Sequence, residues 1–214
     1  VNIKPMLMRL QNALGRDDLI EQMVLLWGQS TPDWESATSV KSVNLIVGYD
    51  SSPKSHTALD ISLLIAHQTR IATKTHVTVQ AVYVLEDNQT SHLLDVLPQK
   101  EVVNSGFSHR FSLDLPAIST SNRIYQRVLN KTYKFASAER ILWQARCLAE
   151  EWQSYFKAHL RFGCLADELK KVVASEAASL LFLGCNSPQH PIIQKLKYSC
   201  PCPVLGIPHC IDNE

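Results

Sequence analysis

The stretch Val43-Asn44-Leu45-Ile46-Val47-Gly48-Tyr49-Asp50-Ser51-Ser52-Pro53-Lys54-Ser55-His56-Thr57-Ala58-Leu59 decides the fold class. Its first half is a short apolar, β-branched run that stops at an aspartate, the pattern of a strand buried on both faces. Its second half opens a helix. Either serine suits the N-cap, and Pro53 suits the first helical position, where its missing N–H is not needed. Ala58, Leu59, Ser62, Leu63, Ile65 and Ala66 then continue one inward face. A second strand follows at residues 77–85, so strand, helix and strand form a βαβ unit with parallel strands and a right-handed crossover.

Toward the C-terminus the alternation repeats. A helix is predicted over 138–157, from Ile141, Ala145, Leu148, Trp152 and Tyr155, then a strand over 159–164 and a helix over 167–177. A strand over 180–184, a short helix over 191–200 and a last strand over 204–207 complete the pattern. Five strands alternating with helices predict an α/β fold, a doubly wound five-stranded parallel sheet. Toward the N-terminus, residues 5–14 and 17–27 carry apolar residues at helical spacing, and a Ser/Thr-rich linker with Pro32 leads to residue 42. Residues 1–42 therefore read as an N-terminal helical extension and linker, packed on the main domain or serving as a docking or dimerising arm, and 43–210 as the α/β domain.

Residues 87–137 are too long for an ordinary connection between a strand and a helix and read as an insertion. Within it Arg123, Arg127, Lys131 and Lys134 recur at spacings of four, four and three, which on a helix is one basic stripe: a solvated face, or a contact surface for an acidic partner. Between residues 100 and 140 the local charge is +4, against +1 for the 214-residue chain. The near-zero total removes any global electrostatic case for nucleic acid or an anionic membrane. No run of residues is long and apolar enough to span a bilayer. Only 7 glycines are present, and the nearest two, Gly15 and Gly28, stand 13 apart, which excludes the standard glycine-rich phosphate loops and the nucleophile elbow.

Six cysteines without a leader segment read as reduced thiols of a cytoplasmic protein. Cys200, Cys202, His209 and Cys210 resemble a soft-metal set, but their spacing matches no zinc template, and no metal is expected. Cys147 and Cys164 fall on predicted core faces, and Cys185 ends a strand near the expected cleft, where its thiol is open to a redox role or to simple packing. No catalytic residue is expected. Ser52 and Ser55 beside His56 are explained by capping, because adjacent residues at a helix start do not face one another.

The quoted stretch resembles the opening of a universal stress protein domain, whose first strand ends in Asp before a serine-capped helix. Tyr83-Val84, Leu181-Phe182-Leu183-Gly184 and Cys202-Pro203-Val204 fall where that family has matching elements. The resemblance implies nucleotide contacts at Asp50, Val84 and Gly184. It also implies a Gly-x2-Gly-x9-Gly-[Ser/Thr] loop after the fourth strand, and there the sequence departs: the later glycine positions hold Ser187 and Lys197, and the last holds Tyr198. Prolines at 188 and 191 remove donors that a phosphate would need. The expectation is a non-enzymatic regulatory or accessory subunit acting through a protein partner, with no ATP and no other cofactor. The alternatives are an adenine-nucleotide-sensing switch using the surviving adenosine half, and an enzyme of the wider adenine-nucleotide hydrolase-like fold. The resemblance further implies a homodimer formed through the last strand, unless the N-terminal segment covers that edge.

Overall fold

The computed structural model describes residues 3–15, 18–27, 42–86 and 117–208. The chain divides into two compact units, residues 1–86 with 138–214, and residues 87–137. The elements are α1 (Ile3–Leu14), α2 (Leu19–Met23), β1 (Val24–Leu26), β2 (Ser42–Gly48), α3 (Pro53–Thr73), β3 (His76–Leu85), α4 (Ala117–Glu151), β4 (Tyr155–Phe162), α5 (Leu165–Ser175), β5 (Leu180–Leu183), α6 (Pro191–Leu196) and β6 (Val204–Leu205). The strands form one sheet in the order β1-β6-β5-β2-β3-β4, parallel throughout except that β1 runs antiparallel to β6. Residues 3–27 belong to the unit that holds this sheet.

Both faces of the sheet are covered, which is why β2 reads as a continuous apolar run. Val43, Leu45 and Val47 join α1, α2, α3 and the later part of α4 in one core, which also takes Leu7, Leu10, Leu19 and Met23. Ile46 points the other way, into a core with Ala166, Leu169, Val172 and Val173 of α5 and Ile193 and Leu196 of α6. Strand alternation thus assigns neighbouring residues of β2 to different helical layers.

Four expectations need correction. Among the described residues the sheet has six strands rather than five, because the second N-terminal helix stops at Met23 and the chain turns extended over Val24–Leu26. Val24 and Leu26 pair with Leu205 and Val204, and the Gly206 N–H donates to the Met23 carbonyl at 2.7 Å. A row of unpaired backbone groups along β6 rewards an extended partner more than another helical turn would. The last strand is consequently not an edge, and the pairing surface expected for a homodimer is occupied by the chain's own β1.

The helix expected over 138–157 instead spans Ala117–Glu151, and Tyr155 begins β4 rather than lying on a helical face. The stop is a Schellman motif: the Ser154 N–H reaches the Ala149 carbonyl and the Gln153 N–H reaches Glu150, with Gln153 at φ 47°. Finally, Cys164, expected on a core face, is exposed at the position preceding α5. Among the described residues no helix is long and apolar enough to cross a membrane. Residues 87–116 of the expected insertion, and residues 28–41 of the expected linker, lie outside the described residues.

Candidate functional site

The winding direction reverses between β2 and β5: β2 leads through α3 to β3 on one side, while β5 lies on its other side. The carboxyl ends of strands at such a reversal form the ordinary ligand crevice of an open α/β sheet. Asp50 and Gly184 lie just beyond those two ends, as the sequence leads one to expect.

Asp50 is built into the start of α3. Its Oδ1 accepts the Ser52 N–H at 2.9 Å, and its own N–H donates to Ser55 Oγ at 3.3 Å. Ser52 is the N-cap: its Oγ accepts the Ser55 N–H at 3.2 Å, while the buried Ser55 hydroxyl donates to the Ser52 carbonyl at 2.9 Å. Partial burial pushes the Asp50 carboxyl up, but the hydrogen bonds from Ser52 and Ser55 outweigh it and hold the group below the usual carboxylate range. Ser51, between them, sits at φ 68°, a left-handed conformation uncommon for serine.

Gly184 is required by packing. A Cβ there would stand 2.8 Å from both the Lys54 carbonyl carbon and the Ser55 nitrogen, so the first turn of α3 rests directly on the end of β5. Beyond it the loop spends its polar groups on itself. The Gln189 N–H donates to Ser187 Oγ, Gln194 Nε2 donates to the Pro188 carbonyl at 2.7 Å, and the His190 ring caps α6 through the Ile192 N–H. The Cys185 carbonyl accepts from Ile207, and Gly206 passes so close that a Cβ would stand 2.1 Å from that oxygen.

Val84 is buried, its side chain in the core under α5, level with Arg161 of β4. The β2 ladder stops at Val82, whereas the β4 ladder continues to Leu85, so the backbone of 83–85 is laddered on one side only. Sequence reading missed Tyr83 as a member of this corner. Burial, and next the negative charge of Asp50, push its phenol up, so the two share one electrostatic environment. Tyr49 was missed as well: its hydroxyl lies 3.1 Å from His56 Nδ1 and 3.3 Å from Nε2, and burial with the charges of Asp50 and Asp60 pushes it up to about 12. A tyrosine ending a strand before an aspartate is a usable signal, but its partner seven residues later is visible only once the strand-to-helix turn is built.

The basic stripe belongs to the other compact unit. Its four positions lie on α4, whose backbone is helical from Ala117 onward, so the spacing does place them on one face. Lys134 is exposed, and the side chains of Arg123, Arg127 and Lys131 lie outside the described residues. Cys185 is buried, and burial pushes its thiol up to about 11, which argues against a redox role for it. Among the described residues no group of three or more His, Cys, Asp or Glu could hold a metal ion; His209 and Cys210 lie outside them.

No protein-family model matches the chain, and no curated protein matches it. Solved structures do. A universal stress protein family member from Burkholderia pseudomallei is similar over 79% of this chain and 98% of its own, at 19% identity and a TM-score of 0.48. A universal stress protein from Lactobacillus plantarum is similar over 79% and 99%, at 17% identity and a TM-score of 0.44. A universal stress protein family member from Arabidopsis thaliana, solved with AMP bound, is similar over 79% and 94%, at 12% identity and a TM-score of 0.45. At these identities the likeness is one of fold alone.

Proposed function

We propose that the protein is a non-enzymatic regulatory or accessory subunit that works in the cytoplasm by binding another protein, through the basic face of α4, and does not depend on ATP. The observation that carries this reading is the helical course of α4, which turns the sequence spacing of Arg123, Arg127, Lys131 and Lys134 into one face. A stripe of cations on a helix steers an acidic partner and sets its orientation more than it adds raw affinity. The loop after Gly184 supports the same reading, since prolines at 188 and 191 lack an N–H, the Gln189 N–H is engaged with Ser187, and α6 donates back to Pro188 and His190. Reversing Arg123 and Arg127 to Glu is expected to slow capture of the protein's partners from native lysate and flatten its salt dependence, with the melting temperature nearly unchanged. Equal capture rates across salt for both proteins would defeat the proposal.

A second reading, an adenine-nucleotide-sensing switch, draws on Asp50 and Tyr83 sharing one corner beside the half-laddered backbone of 83–85. Calorimetry with ATP and with AMP separates the two. The primary reading expects no binding tighter than about 10 μM, roughly 7 kcal/mol, and a tighter complex would favour the switch.

A further inference from the structure

The sheet ends differently on its two sides. At one end β6 is covered by β1, whereas at the other β4 pairs with β3 along all 8 of its residues and, among the described residues, with no strand beyond. An edge of that length is a template for one more strand. Its two faces differ in chemistry. Tyr155, Lys157, His159 and Arg161 alternate onto the face that carries α5, since Arg161 stands level with Val84, which lies in the core under α5. Phe156, Ala158, Leu160 and Phe162 alternate onto the opposite face, where Phe156 packs against the core of α3. No acidic residue occurs between 155 and 162.

The positive charge of this row is only partly matched by the chain itself. Lys157 Nζ meets Glu176 at 3.1 Å, yet its side chain stays 57% exposed, so the pair exchanges partners at little cost. His159 is tied through Nε2 to Gln80 Oε1 at 2.7 Å, and burial pushes its imidazole below the usual range, which leaves the charge of the row at neutral pH on Lys157 and Arg161. Among the described residues Arg161 forms no ion pair, and its buried Nε has no hydrogen-bond partner. A carboxylate arriving from outside the sheet edge meets donors that the fold has not used.

We propose that the outer edge of β4 is a docking site for an extended segment of a partner protein in which acidic residues alternate with apolar ones, added to the sheet as a further strand. Its carboxylates face Lys157 and Arg161 on the α5 side, and its apolar side chains lie beside Ala158 and Phe162, both exposed, on the other. Opposite charges across a strand pair attract and like charges repel, so the cations of β4 act as a filter rather than a block. A second copy of β4 is the wrong occupant, because an antiparallel twin sets cations beside cations on the same face. This surface is separate from the basic face of α4 and does not depend on the reading given for it.

The probe is a fluorescein-labelled peptide of about nine residues that alternates glutamate with valine, long enough to run the length of β4. It is titrated against the full-length protein by fluorescence anisotropy, and saturable binding that weakens with salt is expected below about 1 mM peptide. Replacing every glutamate by lysine, or scrambling the alternation at fixed composition, should weaken binding by at least about tenfold. N-methylation of every second peptide amide should abolish binding in one of its two phases, because only one edge of an added strand faces β4. Lys157→Glu combined with Arg161→Glu should make the lysine peptide the better ligand, whereas Arg123→Glu with Arg127→Glu should leave the glutamate peptide bound as in the wild type. By NMR, amide exchange should slow at alternate residues of 155–162 when the peptide is added. No saturable binding up to about 1 mM, equal affinity for the glutamate and lysine peptides, or indifference to N-methylation in both phases would overturn the proposal. So would loss of binding in the α4 variant, which puts the peptide on that helix, or outward β4 amides already protected before peptide is added, which puts a segment of the chain itself on the edge. The peptide series and the exchange measurement use the wild-type protein, so they decide whether or not the β4 variant folds.

Discussion

The turn after β2 and the loop after β5 stand on opposite sides of the winding reversal and solve the same problem by different means. Each must end a buried strand, start a helix and satisfy the free N–H groups of that helix. The first uses Asp50, Ser52 and Ser55 in a network of side-chain hydrogen bonds. The second has one ring cap at His190, prolines at 188 and 191, and Gly184, with Gly206 from beyond β6 packed against it; the value of both glycines is the absence of a Cβ. The first therefore tolerates chemical change one bond at a time, while the second is held by backbone contact and fails by collision.

The largest expected effect lies in the second region. Gly206→Ala and Gly184→Ala each place a methyl against backbone that cannot swing away, and overpacking of this kind costs about 1–3 kcal/mol or more. Gly206→Ala should be the worse of the two, since its Cβ would come to 2.1 Å of the Cys185 carbonyl oxygen against 2.8 Å for Gly184. Urea unfolding of both variants checks the order, and wild-type midpoints would refute the picture of backbone closure. Ser52→Ala removes the α3 cap and should cost about 1 kcal/mol, with Ser52→Gly losing only a few tenths. Wild-type stability in Ser52→Ala would mean that the Ser52 hydroxyl contributes little.

Ser51→Gly tests the same turn in the opposite sense. Relief of the left-handed conformation at φ 68° should raise stability by about 0.5 kcal/mol. The smallest effect concerns pH. Asp50 titrates below its unfolded value, so the folded state binds fewer protons in that window; the stabilisation is present above the unfolded pKa and is lost as pH falls through the folded one. Asp50→Asn keeps an acceptor for the Ser52 N–H and removes the titration. Its stability should therefore fall less steeply than that of the wild type on the acid side, and parallel acid limbs would show that the Asp50 charge is uncoupled from the turn.

The two regions also differ in how far they can be read without coordinates. Strand β2, a serine cap at 51 or 52, and Pro53 were all legible, because each has a local chemical reason that operates within a few residues; the structure makes Ser52 the cap. Helix ends were not. With so few glycines, α3, α4 and α5 are followed by Lys74, Gln153 and Ala177 in left-handed conformations, residues that give no stop signal in sequence. The apolar spacing through Trp152 and Tyr155 consequently ran on past the true end of α4. Of the site, Asp50, Val84 and Gly184 came from the family resemblance, while Tyr83 and Tyr49 gained a place only from their neighbours across the turn.

Local pattern was sufficient for the alternation of strands and helices, the doubly wound class and the absence of a glycine-rich loop. Periodicity, capping and glycine spacing act over a few residues, and the crossover rule carries them to topology. Two features needed the folded chain. Val24–Leu26 became a strand because β6 offered an open edge, and Gly184 proved to be a packing glycine because α3 lies on it. In each case the deciding partner is another backbone or a side chain turned by the fold, and a one-dimensional pattern contains neither an edge nor a direction.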